Sequence, residues 1–80
     1  MPTLLHSDGF RFFFYSQEGV PLEPAHVHVR QGNREAKLWL APAVRVAWSR
    51  RIDPKTLRRL IAVAEAHRDE FEEKWHVFFA

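Results

Sequence analysis

Residues Phe10-Arg11-Phe12-Phe13-Phe14-Tyr15 carry five aromatic rings in six positions. In an extended strand successive side chains point to opposite faces, so Phe10, Phe12 and Phe14 go one way and Arg11, Phe13 and Tyr15 the other. A strand that is aromatic on both sides needs cover on both, which makes it an interior strand of a sheet. The rings also answer a problem of size. A chain of 80 residues hides only roughly 60–65% of the surface it exposes when unfolded. With no cysteine in the sequence, disulfides cannot assist, and large side chains or association must supply the stability.

The neighbouring segments supply the rest of a sheet. Thr3–His6 is short and apolar, and Asp8-Gly9 is a turn signal that joins it to a strand over Phe10–Ser16 as a hairpin. Gln17–Ala25 contains Gly19, Pro21 and Pro24 and reads as a loop. His26–Arg30 alternates apolar and polar residues, as does Glu35–Leu40. If Gly32-Asn33 is a two-residue primed turn, Arg30 lies opposite Glu35, Val29 opposite Ala36, His28 opposite Lys37 and His26 opposite Trp39. One face then holds Val27, Val29, Ala36, Leu38 and Leu40. The other holds His26, His28, Arg30, Glu35, Lys37 and Trp39. Ala41-Pro42-Ala43 breaks the run, and Val44–Trp48 is expected as a last strand with Val44, Val46 and Trp48 facing inward.

The remainder is helical. Asp53 is an N-cap residue followed by Pro54 at the first helical position. Leu57, Leu60, Ile61, Ala64, Phe71, Trp75 and Phe78 fall on one stripe, which offers only His67 or Arg68 near its middle. The expectation is one long helix over 54–79 with a kink or break near His67–Asp69. Unbroken, it would span roughly 39 Å, long for a domain whose radius of gyration should be near 12 Å. Its end must bend, wrap the sheet or reach a partner. The fold predicted is a single α+β domain over residues 1–80. It is an antiparallel sheet of about four to five strands within 3–48, followed by the helix.

The opening Met1–Asp8 has no basic leader and no sustained apolar run, so no signal peptide is expected. No segment has the length of a membrane span, and a soluble, cytoplasmic chain is expected. Charge is uneven. Residues 1–64 carry ten Lys/Arg against five Asp/Glu, and residues 65–80 carry two against five. Such asymmetry marks either a basic working face or ordinary solvation.

Two groups of residues could carry chemistry. His26 and His28, two apart on a strand, project to the same side roughly 6.5–7 Å apart. They are weak candidates for a metal site, which His6 or Glu35 would have to complete, or for acid–base work. Read structurally, they are solvated or hydrogen-bonded imidazoles. Taken whole, the face of His26, His28, Arg30, Lys37 and Trp39, with Arg45 beside it, offers cations for phosphates and a ring for a base, which suits single-stranded nucleic acid. The competing reading is a solvated face on which Glu35 neutralises Arg30. Arg50-Arg51 and Arg58-Arg59 bracket the helix start, where cations oppose the macrodipole, and this favours an anionic partner. No cysteine nucleophile, Gly-rich phosphate loop or hydrolase-like carboxylate pair is present.

Three blocks carry a resemblance: Gly9–Ser16, Pro24-Ala25-His26-Val27-His28-Val29, and Glu35–Leu40. Together they resemble the small prokaryotic proteins of domain-of-unknown-function family four-one-six-zero over nearly the whole chain. A second proline frequent in that family is replaced here by Ala25. The resemblance implies a two-component, toxin–antitoxin-type module in which this chain is the toxin, and it brings no catalytic residues with it.

The first functional reading is therefore an interaction protein that binds a small protein partner, with nucleic acid as a further ligand. Two alternatives stand beside it: a small nuclease or metal-dependent hydrolase using His26 and His28, and a stand-alone nucleic-acid-binding module. No cofactor is expected unless a divalent metal sits at the histidine pair. A small protein partner or a homo-oligomer is expected because Phe13, Tyr15 and the apolar end of the helix (Phe71, Trp75, Phe78, Phe79) lack evident cover. No membrane partner is expected.

Overall fold

The two-sided aromatic strand lies inside a five-stranded antiparallel sheet of simple meander order, followed by two helices. The computed structural model describes residues 3–16 and 23–79. Most of the loop expected over Gln17–Ala25 lies outside the described residues, as do Met1, Pro2 and Ala80. The strands are β1 (Thr3–Ser7), β2 (Phe10–Phe13), β3 (His26–Gln31), β4 (Arg34–Trp39) and β5 (Arg45–Arg50), and the helices are α1 (Pro54–Ala66) and α2 (Arg68–Phe78). The radius of gyration is 11.6 Å. Among the described residues no helix is long and apolar enough to cross a membrane.

The turns set the registers. Asp8 (φ 54°) and Gly9 (φ 79°) both take positive φ, the requirement of a I′ hairpin, and they join β1 to β2. Between β3 and β4, Gly32 takes positive φ (59°) at the first central position, as a II′ turn demands. The β3–β4 register is the one expected: Arg30 faces Glu35, Val29 faces Ala36, His28 faces Lys37 and His26 faces Trp39.

β5 departs from expectation. Val46 lies opposite Leu38, but Trp48 lies opposite Lys37, and the register shifts between these two pairs. The bulge inserts one residue, Ala47, so Val46 and Trp48 point to opposite faces instead of sharing the inward one. Both are exposed. The strand also runs on to Arg50, two residues beyond its expected end.

The helical segment breaks where its stripe fails. His67 leaves helical geometry (φ −110°, ψ 13°), ending α1 and starting α2. Arg68 then ties the new helix to the β4–β5 connection: its Nε donates to the Leu40 carbonyl at 2.6 Å and its Nη2 to the Pro42 carbonyl at 2.9 Å. That anchor aims α2 along the sheet rather than past it. Phe71 packs on Phe12 (6.0 Å between ring centroids) and Trp75 on Phe14 (5.3 Å). With Leu60 and Ala64 of α1, these side chains close a core over Val27, Val29, Ala36, Leu38 and Leu40.

On the opposite face Phe13 is also wholly buried, contrary to the expectation that it lacks cover. Its cover is polar and aromatic: the Arg11 guanidinium 4.3 Å from its centroid, Tyr15 at 4.9 Å and His28 at 5.8 Å.

Asp53 caps α1 as expected. The Thr56 amide donates to Asp53 Oδ2 at 3.0 Å and the Thr56 hydroxyl to Oδ1 at 2.6 Å. The hydroxyl first, and then the amide, hold the carboxyl below its ordinary value of 3.8. A depressed carboxyl contributes stability above its unfolded pKa, and that contribution is lost as pH falls through the folded one. Asp53→Ala is therefore expected to lower the melting temperature at neutral pH, with the gap from the parent closing as pH drops below about 3.8. Thermal melts of the two proteins across that range check it, and a gap independent of pH would remove Asp53 from the cap.

Candidate functional site

The face away from the helices is organised in rows, because residues paired across antiparallel strands share a face. The first row crosses all five strands: His6, Arg11, Arg30, Glu35 and Arg50. The second contains Phe13, His28, Lys37 and Trp48, and the third His26, Trp39 and Arg45.

Glu35 is the centre of this face, and it is buried. The Tyr15 hydroxyl donates to its Oε2 at 3.0 Å, His28 Nδ1 lies 3.3 Å from the same oxygen, and Arg50 Nη2 lies 3.7 Å from Oε1. A carboxylate so enclosed is tolerable only with several donors around it. The same contacts act on Tyr15. Burial first, and then the hydrogen bond to Glu35, push its phenol above the ordinary 10.0, with Arg30 opposing.

The six residues expected to contact nucleic acid or an anion are indeed on one face, but they differ in what they can offer. His26 and His28 are buried: His26 Nδ1 is 3.0 Å from the Pro24 carbonyl, and its ring sits between Trp39 (5.5 Å) and Trp75 (4.6 Å). Lys37 is bound to Glu23 at 2.9 Å and lies over the Trp39 ring at 4.4 Å, leaving its side chain 12% exposed. The Lys37 hydrogen bond, ahead of the burial that opposes it, lowers the Glu23 pKa. Arg30 and Arg45 are exposed, Arg30 Nε donating to the Gly32 carbonyl at 2.9 Å.

Arg11, Arg50 and Trp48 belong to the same face, and sequence reasoning did not assign them to it. The strand alternation placed Arg11 beside Phe13 and Tyr15, and this was the signal that could have found it. Trp48 was hidden by the bulge. The His26 and His28 rings are 5.4 Å apart. Among the described residues no group of three or more His, Cys, Asp or Glu side chains converges as a metal site would require, and His6 stands on the edge strand β1.

A second feature lies between β1 and α2. Thr3, Leu4, Phe14, Val77 and Phe78 line an apolar groove of about 520 Å³, edged by Glu70, Glu73 and Lys74. Val77 is 74% exposed and Phe78 43%. Phe71 and Trp75, by contrast, are spent on the core.

Residues 9–76 match the family described as a domain of unknown function, DUF4160. The chain belongs to this family. The DUF4160 span includes every residue named on the rowed face except His6, whereas Thr3, Leu4, Val77 and Phe78 of the groove lie beyond it. No curated protein and no solved structure matches the chain.

Tyr15 is the only tyrosine in the sequence, so tyrosinate absorbance reports it alone. It is expected to titrate above 10.0, and Glu35→Gln is expected to bring it down, since the acceptor charge that holds the phenolic proton is gone. A parent titrating at or below the ordinary value would mean that Tyr15 and Glu35 do not meet.

Proposed function

We propose that this protein is an interaction component of a two-protein, toxin–antitoxin-type module and binds a small partner protein through the groove between β1 and α2. The observation that carries this reading is the exposure of Val77 and Phe78 beside Leu4 and Phe14, an apolar surface left over after the core is complete. Exposed aromatic side chains beside a pocket are the usual anchors of protein interfaces. The resemblance to proteins that occur beside a small partner supports the module, and a cysteine-free chain fits a cytoplasmic setting.

The partner fits better as a different protein than as a second copy. If the groove's acidic edge engaged the basic sheet face of another copy, each copy would keep both surfaces unequally used, and the contact would propagate instead of closing. If two grooves met face to face, Glu73 of each copy would approach its like, because Lys74 is taken up by Glu70 at 3.0 Å. A partner segment with apolar side chains flanked by Lys or Arg satisfies both the groove and its edge. The reading makes this chain a binder, and the buried positions of His26 and His28 give it more support than the hydrolase alternative receives.

Co-expression with the product of the adjacent gene tests it. The chain alone is expected to slow growth, and the neighbour to restore it and co-purify. Phe78→Asp should weaken the complex about 30-fold or more, as loss of an interface anchor of about 2 kcal/mol does, with unchanged circular dichroism because Phe78 is outside the core. A parent that ignores its neighbour, or a Phe78→Asp variant that binds as tightly as the parent, would sink the proposal.

A further inference from the structure

The cations of the rowed face are not equivalent, and the structure sorts them. Lys37 is neutralised by Glu23, and His26 and His28 are buried. Arg11 and Arg50 are held differently. Each guanidinium lies over an aromatic ring of its own strand, Arg11 over Phe13 at 4.3 Å and Arg50 over Trp48 at 4.9 Å. Arg50 is 62% exposed, and its carboxylate contact, Glu35, is shared with Tyr15 and His28. Arg30 lies in the same row between them, exposed. The strand residues of this face therefore present Arg11, Arg30, Arg45 and Arg50 outward, while Glu35 is sunk beneath them.

A guanidinium already held over a ring has lost much of its rotamer freedom, so it gives up less on binding an anion than a free arginine does. Its outer plane remains available to a second π-system. Arg11 on β2 and Arg50 on β5 stand three strand spacings apart, roughly 14 Å, too far for one phosphate group to touch both. The half-exposed Trp48 ring (37%) lies at the Arg50 end. A ligand that fits has repeated negative charges along its length and flat rings free to stack. A duplex keeps its base faces stacked inside, so a ligand whose rings are free to stack is a single strand.

We infer that the row Arg11–Arg30–Arg50, with Trp48 as its stacking platform, binds single-stranded nucleic acid laid across the strands. Backbone phosphates meet the three guanidinium groups, and one base stacks at Trp48 and Arg50. This surface is on the opposite side of the sheet from the helices, and it does not depend on the partner groove described above.

Fluorescence anisotropy of labelled oligo(dT) and oligo(rU), titrated with the full chain at a series of salt concentrations, tests the inference. The logarithm of affinity should fall linearly with the logarithm of salt, and Arg11→Gln or Arg50→Gln should each reduce the slope by about 0.7. Trp48→Ala should weaken binding about 5- to 150-fold while leaving the slope unchanged, because stacking is uncharged. Lys55→Gln, exposed on α1, serves as a control and should change neither quantity. Equal binding of both oligomers identifies backbone and base contacts alone, and tighter binding of oligo(rU) adds a contact to the 2′-hydroxyl; both support the site. The inference is overturned if neither oligomer binds at low salt. It is equally overturned if the Lys55→Gln variant reduces the slope as much as the row variants do, or if heparin binds as tightly and Trp48→Ala is silent for the oligomers.

Discussion

Phe12 and Phe13 are consecutive residues, both wholly buried, on opposite sides of one strand. Most of the architecture follows from covering both. Phe12 and its companions Phe10 and Phe14 take the helices: α2 sets Phe71 and Trp75 on them, and Arg68 fixes its approach by bonding the Leu40 and Pro42 carbonyls. Had the helical segment continued straight through His67, its apolar end would have passed beyond the sheet and left Phe14 without a ceiling. Phe13 receives no helix. It is covered by its own neighbours, an arginine, a tyrosine and a histidine.

That second cover has electrostatic consequences. Side chains that lie over Phe13 and still reach water are amphipathic, and here Arg11 brings a fixed positive charge among them. Glu35 in their midst must be buried to reach Tyr15 and His28, and a buried carboxylate stabilises only when its donors are in place. Satisfying Glu35 from beneath leaves the arginines around it facing outward. The Arg11 charge on this face is thus a by-product of how a strand with rings on both sides is covered. The groove is the counterpart on the other side. Once Phe71 and Trp75 are committed to the core, the last turn of α2 has Val77 and Phe78 left over, and the end of β1 is too short to cover them.

Much of this was legible in the residues. The alternation in His26–Arg30 and Glu35–Leu40, with glycine in the turn between them, specified the β3–β4 register pair by pair, because a one-residue slip would turn every apolar side chain out of the core. Asp53 and Pro54 marked the start of α1, and the gap in the stripe marked its end. The failures have particular causes. Trp48 was assigned to the wrong face because one extra residue in β5 reverses the alternation, and nothing in Val44–Trp48 announces a bulge. His26 and His28 were read as residues of an open face, whereas Trp39, Trp75 and Tyr15 enclose them.

By itself the sequence determined what depends on neighbours along the chain: the faces of β2, β3 and β4, the turns at Asp8-Gly9 and Gly32-Asn33, the cap at Asp53 and the break at His67. Each of these is set by backbone geometry or by side chains within a few positions, and local interactions suffice. Tertiary structure alone decided which charged groups are spent and which remain. Lys37 is neutralised by a residue 14 positions away and Glu35 accepts from one 20 positions away, while Arg11 and Arg50 find rings in their own strands. Composition counts all of these cations alike. Their availability depends on distances of a few ångströms between strands, and these exist only once the sheet has closed.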